Sequence, residues 1–304
     1  MRVTVTGATG VIGSALVRRL RERGDEVTVL SRDPRRAGEA LGVPARAWDA
    51  SAEPAPAEAL QGRDGIVHLA GETIARRWTD EAKRAIRDSR VVGTRHLVTG
   101  LRGAHPRPPV LACASGVGLY GGRGDEPIDE SAPPGGDFLA RVCVQWEREA
   151  AIATELDMRV VLVRTGVVLA AEGGALARML PPFRAGLGGP VAGGRHYMPW
   201  IHLDDVVGIY LAALEDGRWS GAVNATAPEP VTNREFSKAL GRALGRPAVA
   251  PVPGPALRLL FGEMAQVVLS GQRALPRRAQ ELGYRFAHPQ LDEALRSALG
   301  RTAG

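Results

Sequence analysis

Seven residues near the start of the chain, Gly7-Ala8-Thr9-Gly10-Val11-Ile12-Gly13, can hold a phosphate without any charged side chain. Gly7 permits a tight turn, Gly10 lets the main chain approach a pyrophosphate, and Gly13 lets a following helix pack closely on a sheet. The helix start then offers unpaired N–H groups and the positive end of its dipole to phosphate oxygens. Thr9, Val11 and Ile12 complete the expected contact set around these glycines. A second chemical group follows at Leu30-Ser31-Arg32, which lies 22 residues past Gly10. An acid in that position would hold the ribose 2′-hydroxyl of NAD. Here it is Arg32, followed by Arg35 and Arg36, with Ser31 as a further donor. A planar guanidinium suits a 2′-phosphate, so the spacing predicts NADP(H). Asp33 is the one neighbouring acid that could turn inward and oppose this reading.

These groups need a strand, a turn and a helix to present them. Arg2 to Thr6 alternates around Val3 and Val5, and Ile12, Ala15, Leu16 and Leu20 recur at helical spacing up to Gly24. Glu26 to Leu30 reads as the next strand. Further strand-like runs are Gly65 to Ala70, Pro109 to Ala114 and Met158 to Val163. Helical patterns run from Thr79 to Arg102 and from Leu139 to Leu156. Strands alternating with helices predict an α/β fold with a doubly wound parallel Rossmann sheet. From about residue 166 the texture becomes loop-rich, with glycine pairs at 173–174 and 193–194. Asp204 to Leu214 reads as a helix with Asp204 and Asp205 capping it, Ala222 to Thr226 as a strand, and Pro247 to Pro255 as a linker-like stretch. The expected organisation is a nucleotide-binding core over residues 1–165, completed by 203–228. Residues 166–202 and 229–304 form a smaller C-terminal substrate lobe.

Composition limits the alternatives. With 44% hydrophobic and 24% charged residues, the 304-residue chain has a globular composition. No apolar run reaches the roughly 18 residues a membrane span requires. The start lacks the apolar stretch of a secretory signal, which predicts a cytoplasmic protein. Cys113 and Cys143 make neither a disulfide framework nor a zinc cluster, and no metal is expected. The net charge of +6 is scattered among 33 acids, without the clustered basic face of a nucleic-acid binder. Of the 39 basic residues only Lys83 and Lys238 are lysines.

Several motifs carry a family resemblance. They are His68-Leu69-Ala70-Gly71-Glu72, Ile86-Arg87-Asp88-Ser89-Arg90-Val91, Ala114-Ser115-Gly116-Val117-Gly118-Leu119-Tyr120-Gly121 and Trp146-Glu147. Arg164-Thr165-Gly166, Trp200-Ile201-His202-Leu203-Asp204-Asp205 and Gly271-Gln272-Arg273-Ala274-Leu275-Pro276 follow. With the glycine turn, they resemble the extended short-chain dehydrogenase/reductase superfamily, and within it the atypical epimerase-like family of the SDR39U1 type. The resemblance runs over essentially the whole chain and includes a family-specific tail. It implies a Rossmann fold with bound NADP(H). Asp49, Leu69, Ala70, Gly71 and Arg164 join the expected cofactor contacts.

The superfamily's chemistry uses a tyrosine as proton donor or acceptor, a lysine four residues later, and a serine or threonine on the substrate oxygen. Ser115 stands at the serine position. Tyr120, Tyr197, Tyr210 and Tyr284 are followed four residues on by Gly124, Ile201, Leu214 and His288, so no Tyr-x-x-x-Lys exists. The pair's place, counted back from Trp146-Glu147, holds Leu139 and Cys143. Leu139 moves no proton, and Cys143 reads as a buried small hydrophobe. The expected catalytic groups are therefore Ser115, Tyr120 and Glu72. Arg195, Tyr197, Trp200 and His202 are expected on the substrate side. Two readings follow. One is an NADP-dependent oxidoreductase or epimerase with an atypical active site, acting on a small molecule as a monomer or homodimer. The other is a non-catalytic NADP(H)-binding regulatory or interaction protein.

Overall fold

The computed structural model describes residues 1–300. Its strands are β1 (Arg2–Thr6), β2 (Glu26–Ser31), β3 (Ala45–Ala47), β4 (Gly65–His68), β5 (Val110–Gly116), β6 (Pro127–Ile128), β7 (Arg159–Thr165), β8 (Val167–Leu169), β9 (Tyr197–Met198), β10 (Trp200–His202), β11 (Gly221–Ala225), β12 (Val231–Thr232) and β13 (Arg273–Ala274). The helices are α1 (Val11–Glu22), α2 (Pro34–Leu41), α3 (Asp80–Gly103), α4 (Phe138–Ala151), α5 (Gly174–Arg184), α6 (Leu203–Glu215), α7 (Asn233–Leu244), α8 (Gly254–Phe261), α9 (Ala265–Leu269), α10 (Arg277–Glu281) and α11 (Leu291–Ala298).

Seven strands form one sheet in the order β11-β7-β5-β4-β1-β2-β3. Every pairing in it is parallel. The chain winds outward from β1 through β2 to β3, then crosses back to β4. The strand order therefore reverses between β1 and β4, the place where open parallel sheets bind ligands at their C-terminal edge. Val3, Val5, Val29, Val67 and Val161 are buried and meet α1 and α6 on one face. Ile66, Leu111, Leu97 and Trp146 fill the other face under α3 and α4. The runs of β-branched residues suit strands buried on both sides.

Capping fixes where the helices begin. Thr79 accepts from Ala82 N and starts α3, and Asp137 accepts from Ala140 N and starts α4. Gly24 follows α1 with φ +80°, a conformation glycine adopts at least cost. The expected helix over 139–156 divides into α4 and a 3₁₀ turn, Ile152–Leu156. The sequence reading does not mark β3, whose three residues, Ala-Arg-Ala, carry no apolar run.

Much of the chain after residue 166, apart from α6 and β11, builds a second packing unit. Leu176, Leu180, Phe183, Phe236, Leu240 and Leu295 form its core with Trp200. Its attachment corrects one expectation. Asp205 does not cap α6: the His202 ring accepts from Asp204 N at 3.1 Å instead. The buried Asp205 carboxylate accepts N–H bonds from Ala287 at 2.7 Å and His288 at 3.0 Å. Asp205 thus ties the start of α6 to the tail. No helix among the described residues is long and apolar enough to cross a membrane.

Candidate functional site

The glycine turn sits at the end of β1, beside the strand-order reversal. Gly7 has φ +65°, and a Cβ there would lie 2.5 Å from the Leu69 carbonyl carbon and 2.7 Å from Ala70 N. A Cβ on Gly13 would lie 2.4 Å from the Gly7 carbonyl oxygen. At Gly10 the same atom would meet only that carbonyl, at 3.3 Å. Gly7 and Gly13 are thus demanded by the fold, while Gly10 leaves open space in front of the turn. Gly10 is the N-cap of α1, with no side-chain cap and no acid in the first turn. The first N–H groups of α1 therefore face outward with no partner of their own, as a phosphate site requires. Thr9, Gly10 and Val11 border a cleft of about 540 Å³ shared with Ser14, Arg18 and Asp204. Residues 297–300 of the tail close its far side.

At the end of β2, Asp33 is the N-cap of α2 and accepts from Arg36 N at 3.0 Å. Its carboxylate does not turn toward the turn's ligand face. Ser31 Oγ bonds with the Asp33 backbone. Arg32 is exposed and makes no hydrogen bond or close ion pair with a described residue. Asp49 accepts from Ser51 N and Ser51 Oγ, and these bonds, with the charge of Arg32, hold its carboxyl below the usual range. Leu69, Ala70 and Gly71 leave the end of β4 partly to fully exposed. Behind them His68 is fully buried between Thr6 Oγ1 at 2.7 Å and Thr94 Oγ1 at 3.0 Å, and burial pushes its pKa down to about 4.

Two of the expected catalytic groups, Ser115 in β5 and Tyr120 just past it, point inward. Ser115 is buried and its hydroxyl donates to Glu147 Oε1 at 2.6 Å. Arg164 grips both Glu147 oxygens at 2.9 Å and donates to the Tyr120 hydroxyl at 2.9 Å and the Glu130 carbonyl at 3.0 Å. Tyr120 has no exposed surface and donates to Asn224 Oδ1 at 2.7 Å. Burial raises the Tyr120 pKa, so the hydroxyl keeps its proton. Asn224 in turn donates to the Leu275 carbonyl, on the tail. This closed chain corrects two expectations. The Tyr120 hydroxyl turns to Asn224 rather than into the cleft, and Arg164 has four of its five N–H groups engaged by the protein.

The Tyr and Lys positions are filled by apolar packing. Leu139 lies over Gly118, and Cys143 lies beside Gly116. Burial pushes the Cys143 thiol up to about 12, so it stays protonated. Lys83 pairs with Glu263, and Lys238 is exposed on α7 in the second unit. Glu72 remains partly exposed at the end of β4, 3.6 Å from Arg76. A shallower cleft of about 410 Å³ opens between Gly121, Arg123, Pro134 and Asp137, with Gln266 of the tail on its rim.

The expected substrate residues divide. Arg195 is exposed on its loop. Tyr197 is half-buried, with Arg273 5.2 Å above its ring. Trp200 is fully buried in the second core and donates to the Glu229 carbonyl, so it packs instead of lining a cleft. His202 is buried against His288, with ring centres 3.8 Å apart, and burial holds it neutral. Sequence reasoning assigned no role to Glu147, Asn224, Glu130 or Arg90. No spacing marks these positions, because their partners come from distant elements.

Comparison with known proteins places the chain in a family. Residues 3–225 match the NAD dependent epimerase/dehydratase family, and residues 252–298 match a domain of unknown function, DUF1731. An Arabidopsis thaliana protein described as an epimerase family protein SDR39U1 homolog, chloroplastic, is 42% identical, over 98% of this chain and 87% of its own. The Homo sapiens epimerase family protein SDR39U1 is 39% identical, over 97% and 99% of the two chains. The crystal structure of human SDR39U1 (isoform 2) with NADPH superposes with a TM-score of 0.90 at 37% identity, covering 99% of this chain and all of that one. The chain belongs to the NAD dependent epimerase/dehydratase family, with the SDR39U1 proteins as relatives along its whole length.

Proposed function

We propose that this protein binds NADP(H) across the glycine turn and passes hydride between the cofactor and a small carbonyl or nucleotide-sugar-like substrate. The observation that carries the cofactor reading is the pairing of an uncapped α1 start at Gly10 with an unpaired Arg32 at the end of β2. The Asp33 carboxylate, which would oppose a 2′-phosphate, is engaged as a helix cap. The human relative crystallised with NADPH supports the same choice.

When bound, the cofactor supplies the hydride, and the chain's own residues must hold it and manage the proton. Ser115 and Tyr120 are tied to Glu147, Arg164 and Asn224, so neither is placed to exchange a proton with a substrate. Glu72, four residues past β4, keeps a partly exposed carboxylate 3.6 Å from Arg76 and is the group we assign to proton transfer. Glu72→Gln is expected to lower turnover about a hundredfold or more while leaving NADPH affinity unchanged. The non-catalytic reading is favoured by one fact, the engagement of both expected hydroxyls inside the protein. NADPH oxidation across carbonyl and nucleotide-sugar panels separates the two, since tight binding with no hydride exchange supports the second.

The cofactor test is a binding titration. Arg32→Ala is expected to weaken NADPH about ten- to over a hundredfold, the range for a charge-assisted contact, and to leave NADH almost unaffected. Equal losses for the two nucleotides would remove Arg32 from the 2′-phosphate.

A further inference from the structure

The chain lacks the lysine that the superfamily places against the cofactor, yet one half-buried cation at the end of β4 has no anionic partner among the described residues. Arg90, on α3, reaches up under the end of β4. A Cβ on Gly71 would come within 3.3 Å of its Cζ and 3.4 Å of Nη2, so the guanidinium lies directly against the exposed Gly71. The Trp146 ring lies on another side, 5.2 Å from Cζ. Its only hydrogen bond to a described residue runs from Nη1 to the Ile86 carbonyl at 3.1 Å, one turn back on α3. No carboxylate among the described residues lies within ion-pair distance of it. Burial lowers its pKa, with Cys143 and Glu72 as the neighbours that pull it back up.

A guanidinium has five N–H donors, and half-buried Arg90 gives one of its five to a described residue, which leaves four for water or a ligand to meet. Gly71 lies on the cofactor path, since Leu69 and Ala70 before it touch the glycine turn. Cys143, at the lysine's position on α4, is one of the groups close enough to Arg90 to affect it electrostatically.

We propose that Arg90 is a cofactor-positioning residue that takes over from the missing lysine, its unpaired N–H groups donating to the nicotinamide-side ribose hydroxyls of NADP(H). This rests on the cofactor reading above and adds a contact at the other end of the dinucleotide from Arg32. It also accounts for Gly71, because any side chain there would stand against the guanidinium.

The test compares two ligands. NADPH carries both halves, whereas adenosine 2′,5′-bisphosphate carries the 2′-phosphate half alone. Arg90→Met is expected to weaken NADPH about ten- to a hundredfold and to leave adenosine 2′,5′-bisphosphate unchanged. Arg90→Lys should recover part of the loss. Arg32→Ala should weaken both ligands. Equal loss of both ligands in Arg90→Met would show a packing role only, and unchanged NADPH affinity would show no contact; either result overturns the proposal. A wild-type chain that binds neither ligand would instead overturn the cofactor reading on which the proposal rests.

Discussion

Arg164 is a buried arginine and Arg90 a half-buried one, and they differ in what surrounds them. Arg164 donates to two carboxylate oxygens, a phenol and a carbonyl, all supplied by the chain. Arg90 donates to one carbonyl. The region beyond β5 is closed: Ser115, Glu147, Arg164, Tyr120 and Asn224 satisfy one another. The region around β1, β2 and β4 is open: the α1 start, Arg32 and Arg90 keep donors that the chain does not use. Residue type does not separate the two regions, since both hold arginines and hydroxyls that catalysis could employ. Hydrogen-bond accounting does: the chain itself meets most of the donors of Arg164, whereas those of the α1 start, Arg32 and Arg90 are left for water or a ligand.

The sharpest test of the contrast is to break the closed side. Arg164→Met strands the Glu147 carboxylate in a largely buried setting with Ser115 as its remaining side-chain donor. Removing one partner of a buried pair costs about 3–5 kcal/mol, so chemical denaturation should show a loss of that size. NADPH affinity, measured on the folded fraction, should not change. A variant of full stability with weakened NADPH would move Arg164 to the open side and erase the contrast.

Acid should act next. His68 is buried and neutral, with its pKa pushed from the usual 6.5 down to about 4. The unfolded chain binds this proton below pH 6.5 and the folded chain does not, so stability is intact above pH 6.5. It falls as the pH drops from 6.5 toward 4. The difference amounts to roughly 3 kcal/mol at full effect. The buried His202 is lowered in the same direction and adds to the trend. His68→Gln, which keeps donors and acceptors near Thr6 and Thr94, should flatten the pH dependence of the melting temperature over that window. An unchanged slope would place the acid sensitivity elsewhere.

The tail latch gives a smaller effect. Asp205→Ala leaves the Ala287 and His288 N–H groups without their acceptor, at a cost of about 1–3 kcal/mol. Hydrogen exchange should rise first at residues 284–288. If the loss is uniform over the chain, Asp205 does not act as a local tie.

Much of the frame was legible in the residues. The glycine spacing, the strand after it and the valine-rich runs define the sheet, because local backbone needs and burial on both faces leave a direct mark on residue type. The missing Tyr-x-x-x-Lys was legible by elimination. What stayed hidden has one physical cause, which is that direction and partnership are tertiary. Tyr120 follows the right strand, but its hydroxyl meets Asn224, 104 residues later. Trp200 and His202 sit in an apolar run that reads equally as a cleft wall or a core. Arg90 lies inside a recognisable motif, and only the packing of Gly71 and Trp146 against it shows that it lacks a partner.

Gly10 offers the finest cut between the two regions. Its φ of −76° and ψ of 172° are open to any residue, and a Cβ would meet only the Gly7 carbonyl at 3.3 Å. Gly10→Ala should therefore change stability by less than about 1 kcal/mol. The added methyl would stand in the space before the α1 N–H groups, where a pyrophosphate must approach the main chain. NADPH binding should then fall far more than the melting temperature. Gly13→Ala should do the reverse, since its Cβ would lie 2.4 Å from the Gly7 carbonyl and the helix would have to lift from the sheet. Two glycines three residues apart thus separate ligand space from fold space. If both variants lose stability together, the turn belongs to the fold alone, and the open side of the molecule shrinks to Arg32 and Arg90.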